Sequence, residues 1–488
     1  MTRTRLSASL VGALVLAACS ADRPVGPAAA PEAAANSISA SATQRYLVLA
    51  GPSGFASDFA ASVTALGGAV EAVHAGAGVA VVTGVSDASA QQLAGLKGVS
   101  DVQPDADITL DAPVASTEED ATAIGGDSPS SVSNPAGAVR YSWQWNMRDI
   151  RAQVAWAAGK LGDASVTVAI LDTGIDYDNP DLNGLVDLSR STSFVASDNA
   201  VTAAYFPSRN AISDYHGHGT NVAAQVSSKA AVHAGVTSKT TLIGVKVLAA
   251  NGSGSLSNVL NGVLWAADHG ADVANMSLGG GFAKAGNGRY VSLINRVFNY
   301  ANKAGMLVVV AAGNSALDLD RDGNFLPTYC AQQHVVCVSS VGPATATGYA
   351  DAPAYYTNIG RSAISVAGPG GNADAANGFT VSTWPWGPGI ASWVWSYCSK
   401  TRVAGFAPSG APVLTACRFG NRVTGYIGTS QATPHVAGLA ALLVAETGKG
   451  RPMQIKNAIQ QSADDLGQPG TDPFYGKGRI NVAKALGL

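Results

Sequence analysis

Charge is scarce in this chain. Asp, Glu, Lys and Arg make up 13% of its 488 residues against 47% hydrophobic residues, so it lacks the composition of a disordered, highly charged protein and has ample material for a core. Charge of one sign is scarcer still. The formal balance is −3, and no Lys/Arg block or basic–aromatic interleaving occurs, which removes the electrostatic case for a nucleic-acid partner. A comfortable bilayer span is missing too, because the apolar stretch from Leu6 to Ala18 is too short for one. Cysteine is limited to five residues, none at the close CxxC spacing of zinc or iron–sulfur sites. What is plentiful is glycine, 56 residues, many of them at the ends of apolar runs where loops turn sharply.

Residues 1–18 read as a cleaved signal peptide, with Arg3 and Arg5 before the apolar stretch. Its end, Leu16-Ala17-Ala18-Cys19, resembles a bacterial lipoprotein signal, which implies a lipid on Cys19 and a membrane partner without a transmembrane helix. An ordinary signal peptide that happens to contain a cysteine is the alternative. Either way the product is exported, to the extracellular space or the cell envelope of a bacterium. Export brings oxidising conditions, so the other four cysteines can form two disulfides. Short loop closure favours Cys330–Cys337 and Cys398–Cys417, although three pairings are open.

Residues 19–43, rich in Ala, Pro and Ser, read as a tether. Residues 44–112 then carry the order β-α-β-β-α-β: strand Arg45–Ala50, helix Phe55–Leu66, strands Ala69–His74 and Gly78–Val82, helix Asp87–Leu96 and a final strand Val99–Leu110. Residues 113–140, again small and polar, read as an exposed linker that holds the maturation site. From residue 141 to 488 strands and helices alternate, which predicts an α/β domain with a mostly parallel sheet in three layers. Ligands in such sheets lie beyond the carboxyl ends of the strands, where the suggestive residues fall.

Three segments carry chemistry. Asp172 closes an apolar run and opens Asp172-Thr173-Gly174. His218 lies in Asp214-Tyr215-His216-Gly217-His218-Gly219-Thr220, and Ser430 in Gly428-Thr429-Ser430-Gln431-Ala432-Thr433-Pro434. Together and in this order they resemble the Asp, His and Ser motifs of the subtilase family, a likeness that covers roughly residues 44–488. The resemblance implies a serine endopeptidase that cuts extended polypeptides through an acyl-enzyme. Asp172 would orient the imidazole, His218 act as general base and then acid, and Ser430 as nucleophile. A hydroxyl attacks poorly until a positioned base takes its proton, and the carboxylate holds the useful tautomer. Asn314, in Ala312-Gly313-Asn314-Ser315, would donate to the oxyanion beside the Ser430 backbone N–H.

The β-α-β-β-α-β unit resembles the family's inhibitory propeptide, whose last strand lies in the substrate cleft. Gly252, Ser253 and Gly254, with Ser277, Leu278 and Gly279, resemble the two edges that clamp a peptide backbone, and Leu278 with the glycines suggests an apolar primary pocket. The chemistry needs no cofactor. The alternating carboxylates Asp318, Asp320 and Asp322 are a candidate site for calcium as a structural ion, with a plain solvated acidic loop as the other reading. Two residues depart from the family pattern: Asn221 where a second His is usual, and Gln431 where Met is usual. Residues 371–423, with Trp384, Trp386, Trp393 and Trp395, read as an insertion whose aromatics fill a small core of their own. An exported non-catalytic peptide-binding protein of the same fold, or an esterase with the same triad, are the competing readings.

Overall fold

The computed structural model describes residues 45–111, 113–120, 130–279, 281–283, 287–321, 323–344, 349–372, 393–420 and 422–488. Cys19, Asp322, Trp384 and Trp386, with the signal and tether expected at residues 1–43, lie outside them.

Thr167–Asp172 is buried at every position, as a strand covered on both faces must be. It sits inside an eight-stranded sheet. Parallel to it on one side runs Thr241–Lys246, followed by the short Thr192–Ser193. On the other side lie Val273–Met276, Leu307–Ala311 and Val335–Ala344, all parallel. Val335–Ala344 also pairs with the parallel Val366–Pro369 and the antiparallel Tyr349–Pro353, so the sheet is mixed at this edge. Alternate side chains along each strand enter opposite cores. One face, with Val168 and Ile170, packs on the helices His218–Val226, Thr429–Thr447 and Pro452–Ser462; the other, with Ala169 and Leu171, packs on Leu256–Asp268 and Gly288–Lys303. Helix, sheet and helix make three layers.

Residues 45–104 follow the expected element order and form an antiparallel sheet in the spatial order Ala69–His74, Val79–Thr83, Arg45–Ala50, Val99–Pro104. Tyr46 and Val48 pack on its two helices, whereas Leu47 and Leu49 join the core of the helices Leu256–Asp268 and Gly288–Lys303. This segment therefore shares the main core and is not a separate body. Three expectations need correction. The first helix begins at Phe59, not Phe55. The strand expected over Val99–Leu110 breaks after Pro104, because Asp105 turns inward and accepts from the Ser257 backbone N–H (2.9 Å) in the first turn of the distant helix Leu256–Asp268. The chain resumes as Asp107–Thr109, paired with Ser253–Ser255. Finally, the expected linker contains a strand, Ala115–Asp120, whose antiparallel partner Arg422–Ile427 is far away in sequence.

Candidate active site

Asp172 ends its strand and His218 opens its helix, and both side chains are fully buried. His218 Nδ1 lies 2.8 Å from Asp172 Oδ1, which also accepts from the Thr173 backbone N–H at 2.7 Å. Two glycines allow this approach. Gly174 has φ +112°, and a Cβ on Gly219 would fall 2.2 Å from the Gly174 carbonyl oxygen. Beneath both loops sits Asp214. It accepts from Thr173 Oγ1 (2.9 Å) and from the backbone N–H groups of Gly217 (2.8 Å) and Thr220 (2.9 Å). Burial alone would raise its pKa, but the hydrogen bonds led by Thr220 hold it below the ordinary carboxylate value. Asp214 is thus an ionised strut between the Asp and His loops. Its motif was visible in the sequence; its role was not.

Ser430 occupies the first turn of Thr429–Thr447. Its Oγ donates to the Ser277 carbonyl at 3.0 Å, and Ser277 Oγ returns a bond to the Ser430 carbonyl at 2.7 Å. His218 Nε2 is buried and has no hydrogen-bond partner among the described residues, so the serine–imidazole bond is not formed in this state. The Asn314 amide orientation is fixed by its acceptor end. Oδ1 takes bonds from the Thr429 backbone N–H and Oγ1, both at 2.8 Å, which leaves Nδ2 facing the Asp111 carbonyl oxygen at 3.4 Å.

The chain itself fills the clamp. Thr109 pairs with Ser253 and Ile108 with Gly254, antiparallel, and the Leu110 N–H donates to the Gly252 carbonyl at 2.7 Å. Asp111 follows. Its carboxylate accepts from the Asn314 backbone N–H at 2.6 Å and lies 3.5 Å from where a Gly279 Cβ would be. Burial pushes the Asp111 pKa up, against smaller opposing effects of the Asn314 N–H and His218. The side chain lodged beside Gly279 and Gly313 is therefore that of an aspartate, where an apolar group was expected. Leu278 is wholly buried in the core.

The two departures meet each other. Gln431 Nε2 donates to Asn221 Oδ1 at 3.3 Å, and Asn221 Nδ2 donates to Ser396 Oγ at 2.9 Å, tying both motif helices to the strand Val394–Tyr397. Trp393 and Trp395 are buried there with Tyr397 and Val423, in a cluster that also takes in Ala231, Val232, Ala354 and Tyr356, so these two aromatics pack onto the main domain and do not form a core of the insertion alone. Both favoured disulfides, Cys330–Cys337 and Cys398–Cys417, are formed. Of the expected calcium ligands, Asp318 and Asp320 are among the described residues, and both are engaged within the protein. Asp320 accepts from Ser362 at its backbone N–H and hydroxyl, and Asp318 is taken up by the Asp320 N–H at 3.1 Å and by Arg321 at 3.6 Å. Among the described residues, the donor atoms of Glu118, Cys398 and Cys417 gather at metal-ligand distances, but those cysteines are joined to each other and offer no thiolate.

A mixed α/β sheet with a buried Asp–His pair, a helix-start serine and an edge that clamps extended backbone defines a peptide-cleaving serine hydrolase. The pattern of the subtilase family matches residues 163–478, and the chain belongs to that family. It is 31% identical to thermitase from Thermoactinomyces vulgaris over 71% of this chain and 96% of that protein. To the thermophilic serine proteinase of Bacillus sp. strain AK1 it is 30% identical, over 70% of this chain and 67% of the relative. The solved structure of the epidermin leader peptide processing serine protease from Staphylococcus aureus shares the fold, with TM-score 0.68 and 21% identity over 92% of this chain and 99% of that one. The protein is a serine endopeptidase that acts on polypeptides, in a family of secreted enzymes, and its chemistry calls for no catalytic cofactor.

Proposed function

We propose that the protein is made as an exported precursor that cuts itself between Asp111 and Ala112, with residues 45–111 as its inhibitory propeptide, and then cleaves other polypeptides. The observation that carries this reading is the Asp111 carbonyl oxygen, 3.4 Å from Asn314 Nδ2 at the end of a strand paired with the 253–255 edge. Ser430 Oγ turns from the Ser277 carbonyl toward His218 Nε2, gives up its proton there and attacks the Asp111 carbonyl carbon. Asn314 Nδ2 and the Ser430 N–H receive the oxyanion. His218 returns the proton to the Ala112 nitrogen as the peptide bond breaks, and water releases the acyl group by the same relay. Asp172 holds the imidazole throughout. In trans, Gly252, Ser253 and Gly254 with Ser277 and Gly279 clamp the substrate backbone. The signal at residues 1–18 directs export, and Cys19 carries a lipid that holds the precursor at the envelope.

The test compares the precursor with Ser430→Ala for propeptide release and casein cleavage. Release with a new N-terminus at Ala112, lost in the alanine variant, is the expected result; equal behaviour of the two proteins refutes the mechanism. Mass analysis of the secreted precursor's N-terminus checks the lipid.

A further inference from the structure

From Val114 onward the chain is again held by main-chain pairing, now by the strand Arg422–Ile427. The Val114 N–H donates to the Ile427 carbonyl at 2.8 Å, and Ala115–Asp120 then runs antiparallel to Arg422–Ile427. It is the outer strand of a three-stranded sheet completed by Val394–Tyr397. Ile427 lies just ahead of Ser430 in the chain, so this strand leads directly away from the nucleophile. Glu118 gives one carboxylate oxygen to Arg402 at 2.5 Å and the other to Arg422 at 3.4 Å. Arg402 also lies against Gly217, next to His218, with its Cδ 3.2 Å from where a Gly217 Cβ would be.

We propose that the outer edge of Arg422–Ile427, with Arg402 and Arg422, binds an extended acidic stretch of substrate on the C-terminal side of the bond being cut. The precursor's own Ala115–Asp120 occupies it first, and substrate competes with that strand after maturation. The inference rests on the peptide-cleaving reading above. Two features define the occupant. An edge strand without a neighbour pairs with any extended chain through its main-chain groups. Two guanidiniums left half-covered without a carboxylate repel each other, so the site selects an acidic residue at the Glu118 register, six residues past Ala112.

The self-processed enzyme is given two peptides, identical except for Glu or Gln at that register. The Glu peptide is expected to show about three- to fivefold higher kcat/KM, carried by KM, as a partly exposed charge pair allows, and the advantage shrinks in about 0.5 M salt. In an Arg402→Glu, Arg422→Glu variant the preference passes to a peptide with Lys there. Equal kcat/KM for the Glu and Gln peptides overturns the proposal, and needs no enzyme variant to read. If the two peptides are cut equally while Ser430→Ala is inert, the edge site alone has failed. If the Ser430→Ala precursor still releases its propeptide, the self-cleavage reading has failed instead, and the peptide ratio remains a separate measurement.

Discussion

The two ends of the Asn314 amide do different work, and substitution separates them. Oδ1 anchors the buried start of the Ser430 helix through two 2.8 Å bonds from Thr429, while Nδ2 faces the Asp111 carbonyl, the proposed site of the oxyanion. The present 3.4 Å contact is long, as ground-state contacts of this kind often are, and tightens only as charge develops. Asn314→Asp keeps the anchor and deletes the donor. In subtilisin, loss of such a donor lowers kcat by about 10²–10³, or about 2.7–4 kcal/mol. A carboxylate beside the developing charge adds repulsion, so kcat should fall by at least about 10³ with little change in stability. Asn314→Ala deletes both ends. It strands the Thr429 N–H and hydroxyl at about 1–3 kcal/mol each, so it should lose about 2–6 kcal/mol of stability as well. Steady-state kinetics on a chromogenic peptide, with thermal unfolding in the Ser430→Ala background, reads both effects. The reasoning is refuted if Asn314→Asp keeps kcat within tenfold, changes only KM, or destabilises as much as Asn314→Ala.

Three further outcomes follow from particular contacts. Because burial raises the Asp111 pKa above its ordinary 3.8, the acid's contribution to stability is full below that value and is lost as pH rises through the raised one. The Ser430→Ala precursor should therefore lose stability over that window, and Asp111→Asn should remove this part of the profile; superimposable profiles would count against it. Asn221→Ala leaves the Gln431 amide without its partner, at about 1–3 kcal/mol, while the Ser396 hydroxyl keeps its bond to the Tyr397 carbonyl. A Tm unchanged within error in the inactive background contradicts that. Replacing both Cys398 and Cys417 by Ala opens a loop of sequence separation 19, so denaturant unfolding should show a loss of about 3 kcal/mol, and a reductant should no longer shift the midpoint further through this bond.

The proposed reacting groups were readable in one dimension because each sits in a short segment whose local geometry is written in its residue types. Asp172 ends an apolar strand, His218 precedes a glycine that lets its helix approach, and Ser430 starts a helix. The order of strands and helices was legible for the same reason, from periodicity within each element. Boundaries were less so: Val99–Leu110 reads as one strand until Asp105 finds the distant Ser257 N–H.

The sequence by itself therefore determined the family, the layered α/β fold and the motifs of Asp172, His218 and Ser430, to which we assign the chemistry. Tertiary structure alone decided what those residues face. Asp111 has no signature in the sequence; its place beside Asn314 and Gly279 depends on strand pairing with Ser253–Ser255, across more than a hundred residues. Asn221 and Gln431 read as two separate departures until the fold brings them within hydrogen-bonding distance. Ala115–Asp120 has the composition of a linker, small and acidic, and becomes a strand only because the edge of Arg422–Ile427 supplies backbone partners and Arg402 with Arg422 supplies the opposite charge. Local propensity reports on neighbours in the chain, whereas these contacts depend on neighbours in space.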